Sequence, residues 1–335
     1  MKRDRAAPRG EFVAVDWGTT HLRLRLLDGS RPHSPPLAEI ASAEGIGELR
    51  SGEHEAIFLR NLDGLLEAAG HAGQKRGGGE ARGDWTRAGG EVYFAGMITS
   101  TLGWFETPYV RAPAGPRELL AGRREESACG VRLHFLPGVR TGEDVLRGEE
   151  VEAIGILGVS AEHEPCTLVL PGTHSKWILW EDGKIEDFTT VPTGDLHAAL
   201  HRATLLARTL PEEPAAIDGA LEEQFLRGVD AAGRVGPLSA LFKVRALPVL
   251  TGLAKEEASA FLSGVLIGGE IAERTRSGAP KSLLVAGAPR LRELYLTALA
   301  RLGVVAEGVP AERAEMASAE GLRAIRGMAR GSGGS

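Results

Sequence analysis

The sequence predicts an α/β protein. Three observations carry that reading: short apolar runs recur with glycine close behind them, segments of helical period lie between those runs, and the opening pair of runs alternates in polarity across a tight turn. Alternation means one buried and one wetter face. A turn that short cannot hold a crossover, so the opening pair is an antiparallel hairpin.

The expected strands are Phe12–Val15, Glu91–Ala95, Leu133–Leu136, Thr167–Leu170, Trp177–Trp180 and Leu283–Ala286. Helical spacing predicts helices over about Glu53–Ala69, Glu149–Val159, Thr193–Arg208, Glu256–Thr275, Arg290–Gly303 and Ala317–Ala329. Two polar connections, Ala72–Gly90 and Arg208–Gly219, are too short to read as domain linkers. Met1–Gly10 reads as a charged, frayed start and Arg330–Ser335 as a flexible tail.

Composition narrows the function. The 335 residues, 43% hydrophobic and 25% charged, suit two domains with sizeable cores. A net charge of -6 and only 5% aromatic residues speak against binding nucleic acid through phosphate neutralisation or base stacking. Cys129 and Cys166 lack CxxC spacing, so they are expected to be reduced core thiols rather than a disulfide or a zinc site. No apolar run is long enough to span a bilayer and no signal peptide is visible, which predicts a soluble cytoplasmic protein without a membrane partner.

The chemistry starts at "FVAVDWGTTHLRLRLLD" (Phe12–Asp28). Gly18 would let backbone approach an oxyanion, and Thr19 and Thr20 offer amide and hydroxyl donors at the turn. Asp16 would repel phosphate directly but can hold magnesium through water. The competing reading is a buried aspartate that caps a turn. "LVLPGTHSKWILW" (Leu168–Trp180) repeats the pattern of strand, glycine turn and strand, with Gly172, Thr173, His174 and Lys176 at the bend. In "LLVAGAPRLRELY" (Leu283–Tyr295) a buried strand meets Gly287-Ala288 before a helix, a small-residue turn able to lie against an adenine or ribose. No P-loop, GxGxxG or GxSxG motif is present.

These three elements, in this order, resemble the actin-like ATPase and sugar-kinase superfamily. "AVDWGTTHLR", "AGMITSTLGW", "LRGEEVEAIG", "LPGTHSKW", "PTGDLHAAL", "FLSGVLIGGE" and "LVAGAPRL" together resemble the 2-dehydro-3-deoxygalactonokinase family from about Phe12 to Arg326. The resemblance implies a two-lobed actin-like ATPase (ribonuclease H-like) fold with an interdomain cleft. Residues 11–158 would form the N-terminal lobe. Residues 159–330 would form the second lobe, with the last helix returning to the first. It also implies ATP and Mg2+, a small sugar acid as substrate, galactonate catabolism as the setting, and a homodimer as the assembly to test.

The family likeness assigns the candidate roles. Glu149 aligns with the catalytic base, although a glutamate stands where aspartate is usual and acids at a helix start also favour the dipole. Asp195 in "PTGDLH" is the other candidate base, or an N-terminal helix cap with Thr193. Asp16, Gly18, Thr19, Thr20, Gly172, Thr173, His174, Lys176, Gly287 and Ala288 would bind the nucleotide, with Asp16 on the metal. Arg147 could pair with a substrate carboxylate through two parallel hydrogen bonds. Gly45, Met97, Trp104 and Tyr109 would line the sugar pocket. Two alternatives stay open: the same fold acting on another sugar or keto-deoxy sugar acid, and a non-catalytic sugar-binding regulator, which the acidic charge and the lack of a helix-turn-helix disfavour.

Overall fold

The structure, a computed structural model, describes residues 10–50, 52–71, 85–87, 89–158 and 164–331. The expected frayed start before residue 10, most of the 72–90 connection, the expected lobe boundary after residue 158 and the tail from residue 332 lie outside the described residues. Two compact units make up the chain. The first takes the residues up to 158, Glu181–Asp187 and the segment from Glu315; the second takes Glu164–Trp180 and Phe188–Ala314.

In the first unit the main sheet contains β1 (Glu11–Trp17), β2 (Leu22–Asp28), β3 (Ala38–Ser42) and β4 (Glu91–Ala95). After the short β5 (Val110–Arg111) it adds β6 (Arg124–Ala128) and β7 (Val131–Phe135), in the order β3-β2-β1-β4-β7-β6. The first three strands are antiparallel neighbours, whereas β4 runs parallel to both β1 and β7. A small second sheet joins β5 to β8 (Val139–Arg140) and β9 (Val145–Leu146). The inward residues of β1 and β2 are fully buried against Phe58, Leu62 and Leu65 of α1 (His54–Ala68) and against Phe94 and Phe135. Next come α2 (Pro116–Ala121) and α3 (Glu149–Leu157).

Glu181–Asp187 belongs to this unit for local reasons. Ile185 bridges to Ala114, and Lys184 Nζ donates to Glu118 Oε1 at 2.8 Å. Helix Ala317–Gly331 packs on α3 so closely that a Cβ on Gly155 would lie 1.9 Å from the Ala317 carbonyl oxygen, and one on Gly321 2.0 Å from that of Val151. Only glycine permits that crossing.

The second unit repeats the plan. Strands β10 (Cys166–Leu170), β11 (Ser175–Glu181), β12 (Lys184–Val191), β13 (Leu283–Val285) and β14 (Glu307–Gly308) lie in the order β12-β11-β10-β13-β14. Here β10 is antiparallel to β11 and parallel to β13. Around this sheet stand α4 (Thr193–Ala203), α5 (Ala220–Val235), α6 (Lys255–Arg274) and α7 (Pro289–Arg301). Helices α5 and α6 also meet at glycines: a Cβ on Gly228 would come 2.2 Å from the Phe261 oxygen, and one on Gly264 1.9 Å from that of Phe225. A hairpin followed by parallel strands recurs in each unit, the plan that the resemblance implies.

Several elements differ from expectation. Helix α5 is not among the expected elements, although its buried Phe225, Gly228, Val229 and Ala232 recur at helical spacing on one face. The helix expected over Thr193–Arg208 stops at Ala203; extended Thr204 then accepts from Leu206 N at 3.2 Å and opens a separate 3-10 turn, Leu205–Thr209. Cys166 is buried, but Cys129 is exposed at a turn between β6 and β7, so it is not a core thiol. Among the described residues no helix is long and apolar enough to cross a membrane.

Candidate functional site

The first unit presents the β1–β2 hairpin. Gly18 N donates to His21 O at 3.0 Å, closing the turn and leaving Thr19 and Thr20 exposed at its tip. The Gly18 amide therefore holds the hairpin itself; the outward donors are those of the two threonines. Thr20 Oγ1 lies 2.8 Å from His21 Nδ1. Behind the tip, Ile46 N donates to Gly18 O and Gly47 N to Thr19 O at 3.0 and 2.9 Å. A Cβ on Gly45 would sit 2.2 Å from Thr19 O, so the close approach that Gly45 permits is to this tip. Gly96 (φ +93°) allows a similar approach, with its Cβ position 2.9 Å from Trp17 O.

Asp16 stands at the end of β1, opposite Arg23 in register, and accepts from Ser318 Oγ at 3.4 Å. Burial raises its pKa and the neighbouring Glu149 adds to that, while Arg23 and Arg25 pull it down. Glu152 is pushed up to about 8 by burial, then by Asp16, Glu149 and Glu150. Glu150 is likewise pushed up to about 8, by burial and by Glu149. Repulsion among carboxylates beside the hairpin is what a divalent cation would relieve. Among the described residues no group of three or more His, Cys, Asp or Glu side chains could hold a metal by itself.

Helix α3 begins beside these acids. Glu149 Oε2 accepts from Arg147 N at 2.9 Å and Glu150 Oε2 from Gly148 N at 2.7 Å, so both acids cap the helix start. Arg147 is not an open fork for a carboxylate. Its Nε donates to Tyr109 Oη at 3.1 Å, its Nη1 reaches Thr99 O, Thr99 Oγ1 and Thr107 Oγ1 at 2.5, 2.6 and 3.1 Å, and its Nη2 donates to Thr107 O at 3.2 Å. The guanidinium also covers the Tyr109 ring at 4.1 Å. One Nη2 hydrogen remains, too few for a bidentate grip. Arg147 and Tyr109 together clamp three loops.

Two more expected sugar contacts are core residues in part. Trp104 packs with Phe58, Phe94, Phe105 and Phe135 at centroid distances of 5.8, 6.1, 5.3 and 5.7 Å. Met97 is half-buried against the same cluster.

In the second unit the bend between β10 and β11 leaves Thr173 and His174 exposed. Its backing matches that of the first hairpin: Asp195 N donates to Thr173 O at 2.9 Å, and a Cβ on Gly194 would lie 2.5 Å from Gly172 O. Asp195 itself is exposed in the first turn of α4. Lys176 is buried, with Nζ donating to Thr190 Oγ1 at 3.0 Å, so it is seated in the sheet rather than at the tip. Gly287 (φ +124°) places its Cβ position 3.5 Å from Pro171 O, which brings the expected adenosine turn to the root of this hairpin, with Ala288 exposed beside it at the start of α7.

Beside this bend is a cavity of about 360 Å³, walled by Gly172, Gly194, residues 214–217, and faces of α4, α6 and α7. Its lining is mainly apolar, with His197, Ser263 and Arg290 as polar members and the hydroxyls of Thr193 and Tyr295 turned elsewhere. Both hydroxyls donate to buried Glu270, Tyr295 at 2.6 Å, and Trp177 Nε1 donates to the other carboxylate oxygen at 2.7 Å. Burial raises the pKa of Glu270 against the pull of these donors. One carboxylate thus ties β11, α4, α6 and α7 together beneath the cavity. Sequence reasoning missed the cavity and this network. The visible signal was a pair of i,i+4 repeats, His197/His201 and Ser259/Ser263, which face each other at 3.1 Å in both rungs.

Comparison with known proteins adds the following. The family model for 2-keto-3-deoxy-galactonokinase matches residues 16–325. The chain is 34% identical to the 2-dehydro-3-deoxygalactonokinase of Escherichia coli (strain K12), over 78% of this chain and 79% of that one. It is 34% identical to DgoK1 of Rhizobium meliloti, provisionally named as the same enzyme, over 91% and 94%. A crystal structure from Sinorhizobium meliloti, also provisionally a 2-dehydro-3-deoxygalactonokinase, superposes with a TM-score of 0.77 at 30% identity, over 95% of this chain and 99% of that one.

Two outcomes follow from this geometry. Gly45→Ala forces the Thr19–Thr20 tip outward and should lower kcat/KM for the phosphoryl donor by about tenfold or more, since sub-ångström misplacement of positioning groups is costly; unchanged kinetics would show that the tip plays no part. The second concerns pH. Burial, reinforced by His201, lowers the pKa of His197 from 6.5 to about 4. Above pH 6.5 both folded and unfolded forms are neutral and the term vanishes; between 6.5 and 4 only the unfolded chain takes the proton, so stability falls as pH drops. From pH 7 to 5 the wild type should lose on the order of 1–2 kcal/mol more than His197→Gln, read from denaturant midpoints.

Proposed function

Because this chain belongs to the 2-keto-3-deoxy-galactonokinase family, a family of carbohydrate kinases, we propose that it transfers the γ-phosphoryl group of ATP to the terminal, C-6, hydroxyl of 2-dehydro-3-deoxy-D-galactonate. The observation that carries the reading is the matched pair of hairpin bends, each with its threonine carbonyl tied back at 2.9 Å and its tip exposed. Tying back the carbonyls turns the acceptors of each tip inward. The donors that remain outward suit phosphate oxygens.

In this reading Thr19 and Thr20 of the first unit and Gly172, Thr173 and His174 of the second donate to the nucleotide's phosphates, and Lys176 contributes positive charge from the adjoining strand. The apolar cavity beside Gly172 takes the base and ribose, with Gly287 and Ala288 near its mouth. Asp16 would hold Mg2+ through water, and the ion would neutralise charge on the phosphates when bound. Glu149 accepts the proton of the sugar hydroxyl as that oxygen bonds to the γ-phosphorus. The bond from the γ-phosphorus to the β,γ-bridging oxygen breaks, and ADP leaves with the electron pair. Asp195 is the other candidate for the base. The loops carrying Gly45, Met97, Trp104 and Tyr109 shape the sugar side, and Arg147 holds the chain at Thr99, Thr107 and Tyr109.

Glu149→Gln should lower kcat by about 100-fold or more with little effect on ATP affinity, measured by coupled ADP release on 2-dehydro-3-deoxy-D-galactonate. Near-normal turnover would exclude Glu149 and move the role to Asp195, tested by Asp195→Asn. Asp16→Asn should shift the Mg2+ titration of activity to higher concentration; an unmoved midpoint would remove Asp16 from the metal's surroundings.

A further inference from the structure

The second-unit cavity, read above as the nucleotide pocket, contains a selective polar atom. On that reading we propose that His197 Nδ1 selects the base by accepting a hydrogen bond from the 6-amino group of adenine, which disfavours purines with a 6-oxo group.

The tautomer follows from counting protons. Ser263 has one hydroxyl proton, and its Oγ lies 3.2 Å from the Ser259 carbonyl oxygen, a group that can only accept. Ser263 therefore donates there. Its 3.1 Å contact with His197 Nε2 then needs a proton on Nε2. The neutral ring is the Nε2–H form, and Nδ1 keeps a lone pair. His197 lines the cavity, and its Nδ1 is not among the sealed nitrogens without a partner, whereas Nδ1 of neighbouring His201 is. The low pKa of His197 keeps that lone pair free of a proton at neutral pH.

The other polar groups offer less discrimination. The Thr193 and Tyr295 protons are committed to Glu270. Arg290 is exposed at the start of α7 and only donates. Adenine presents a donor at position 6, and hypoxanthine presents an acceptor on the same ring frame. Against Nδ1 the latter sets two lone pairs face to face, leaving both groups without a partner in a mostly apolar site.

The test compares ATP with ITP, by kcat/KM and by calorimetric Kd. Wild type should favour ATP by about tenfold or more, the worth of one such hydrogen bond with its unpaired alternative. His197→Leu keeps bulk but removes the acceptor, and should bring the ATP/ITP ratio towards one. Ser263→Ala releases the tautomer and should narrow the ratio as well. Equal use of ATP and ITP by the wild type, or a ratio unmoved in both variants, overturns the inference. Ala216→Trp tests the underlying reading separately: by filling the cavity it should raise Kd for ATP and ITP together. If it leaves both unmoved, the cavity is not the nucleotide pocket and both readings fall. If it acts while the ratio stays fixed in the His197 and Ser263 variants, only the base-selection role is lost.

Discussion

The molecule depends on two places where backbone touches backbone with no side chain between. In the first unit the Gly45–Gly47 segment lies on the Thr19–Thr20 tip; in the second the start of α4 lies on Gly172–Thr173. Each contact takes the same form. A threonine carbonyl at the tip accepts an amide at 2.9 Å, from Gly47 or Asp195, and a glycine two residues earlier or one residue earlier stands where a Cβ would collide. A two-residue bend held only by its own strands would sample several conformations. Fixed from behind, it presents one arrangement of donors, whose ordering cost was met during folding.

Around these bends the buried polar groups act as nodes. Glu270 gathers donors from three elements in the second unit, and Arg147 gathers acceptors from Thr99 and from the loop of Thr107 and Tyr109 in the first. A carboxylate or guanidinium is tolerated at such depth because its hydrogen bonds are nearly complete. Removing one partner leaves a buried charge exposed to apolar surroundings, so these nodes also set the positions of the walls they join.

Much of the candidate site was legible. The run of strand, glycine-threonine turn and strand needs only local chemistry, so Asp16, Thr19, Thr20, Gly172 and Thr173 were found where the bends are. Residues whose role depends on distant neighbours were misjudged. Arg147 looks available in "LRGEE", but its donors meet Thr99, Thr107 and Tyr109, all remote in sequence. Trp104 follows a loop motif yet stacks among four phenylalanines. Gly45 signalled a close approach without revealing that its neighbour is the hairpin tip. The cavity was invisible because loop 214–217 and three helices each contribute only a few small or apolar residues.

By itself the sequence determined the α/β class, the two bends and the order of motifs that marks the family. These are properties of residues within a few positions of one another, where φ/ψ preference and the alternation of side chains decide. The tertiary structure alone decided which glycines serve as contacts, which charged groups are saturated, and which side chains wall the cavity. Those depend on what packs against each residue, and packing partners lie too far along the chain for local preference to specify.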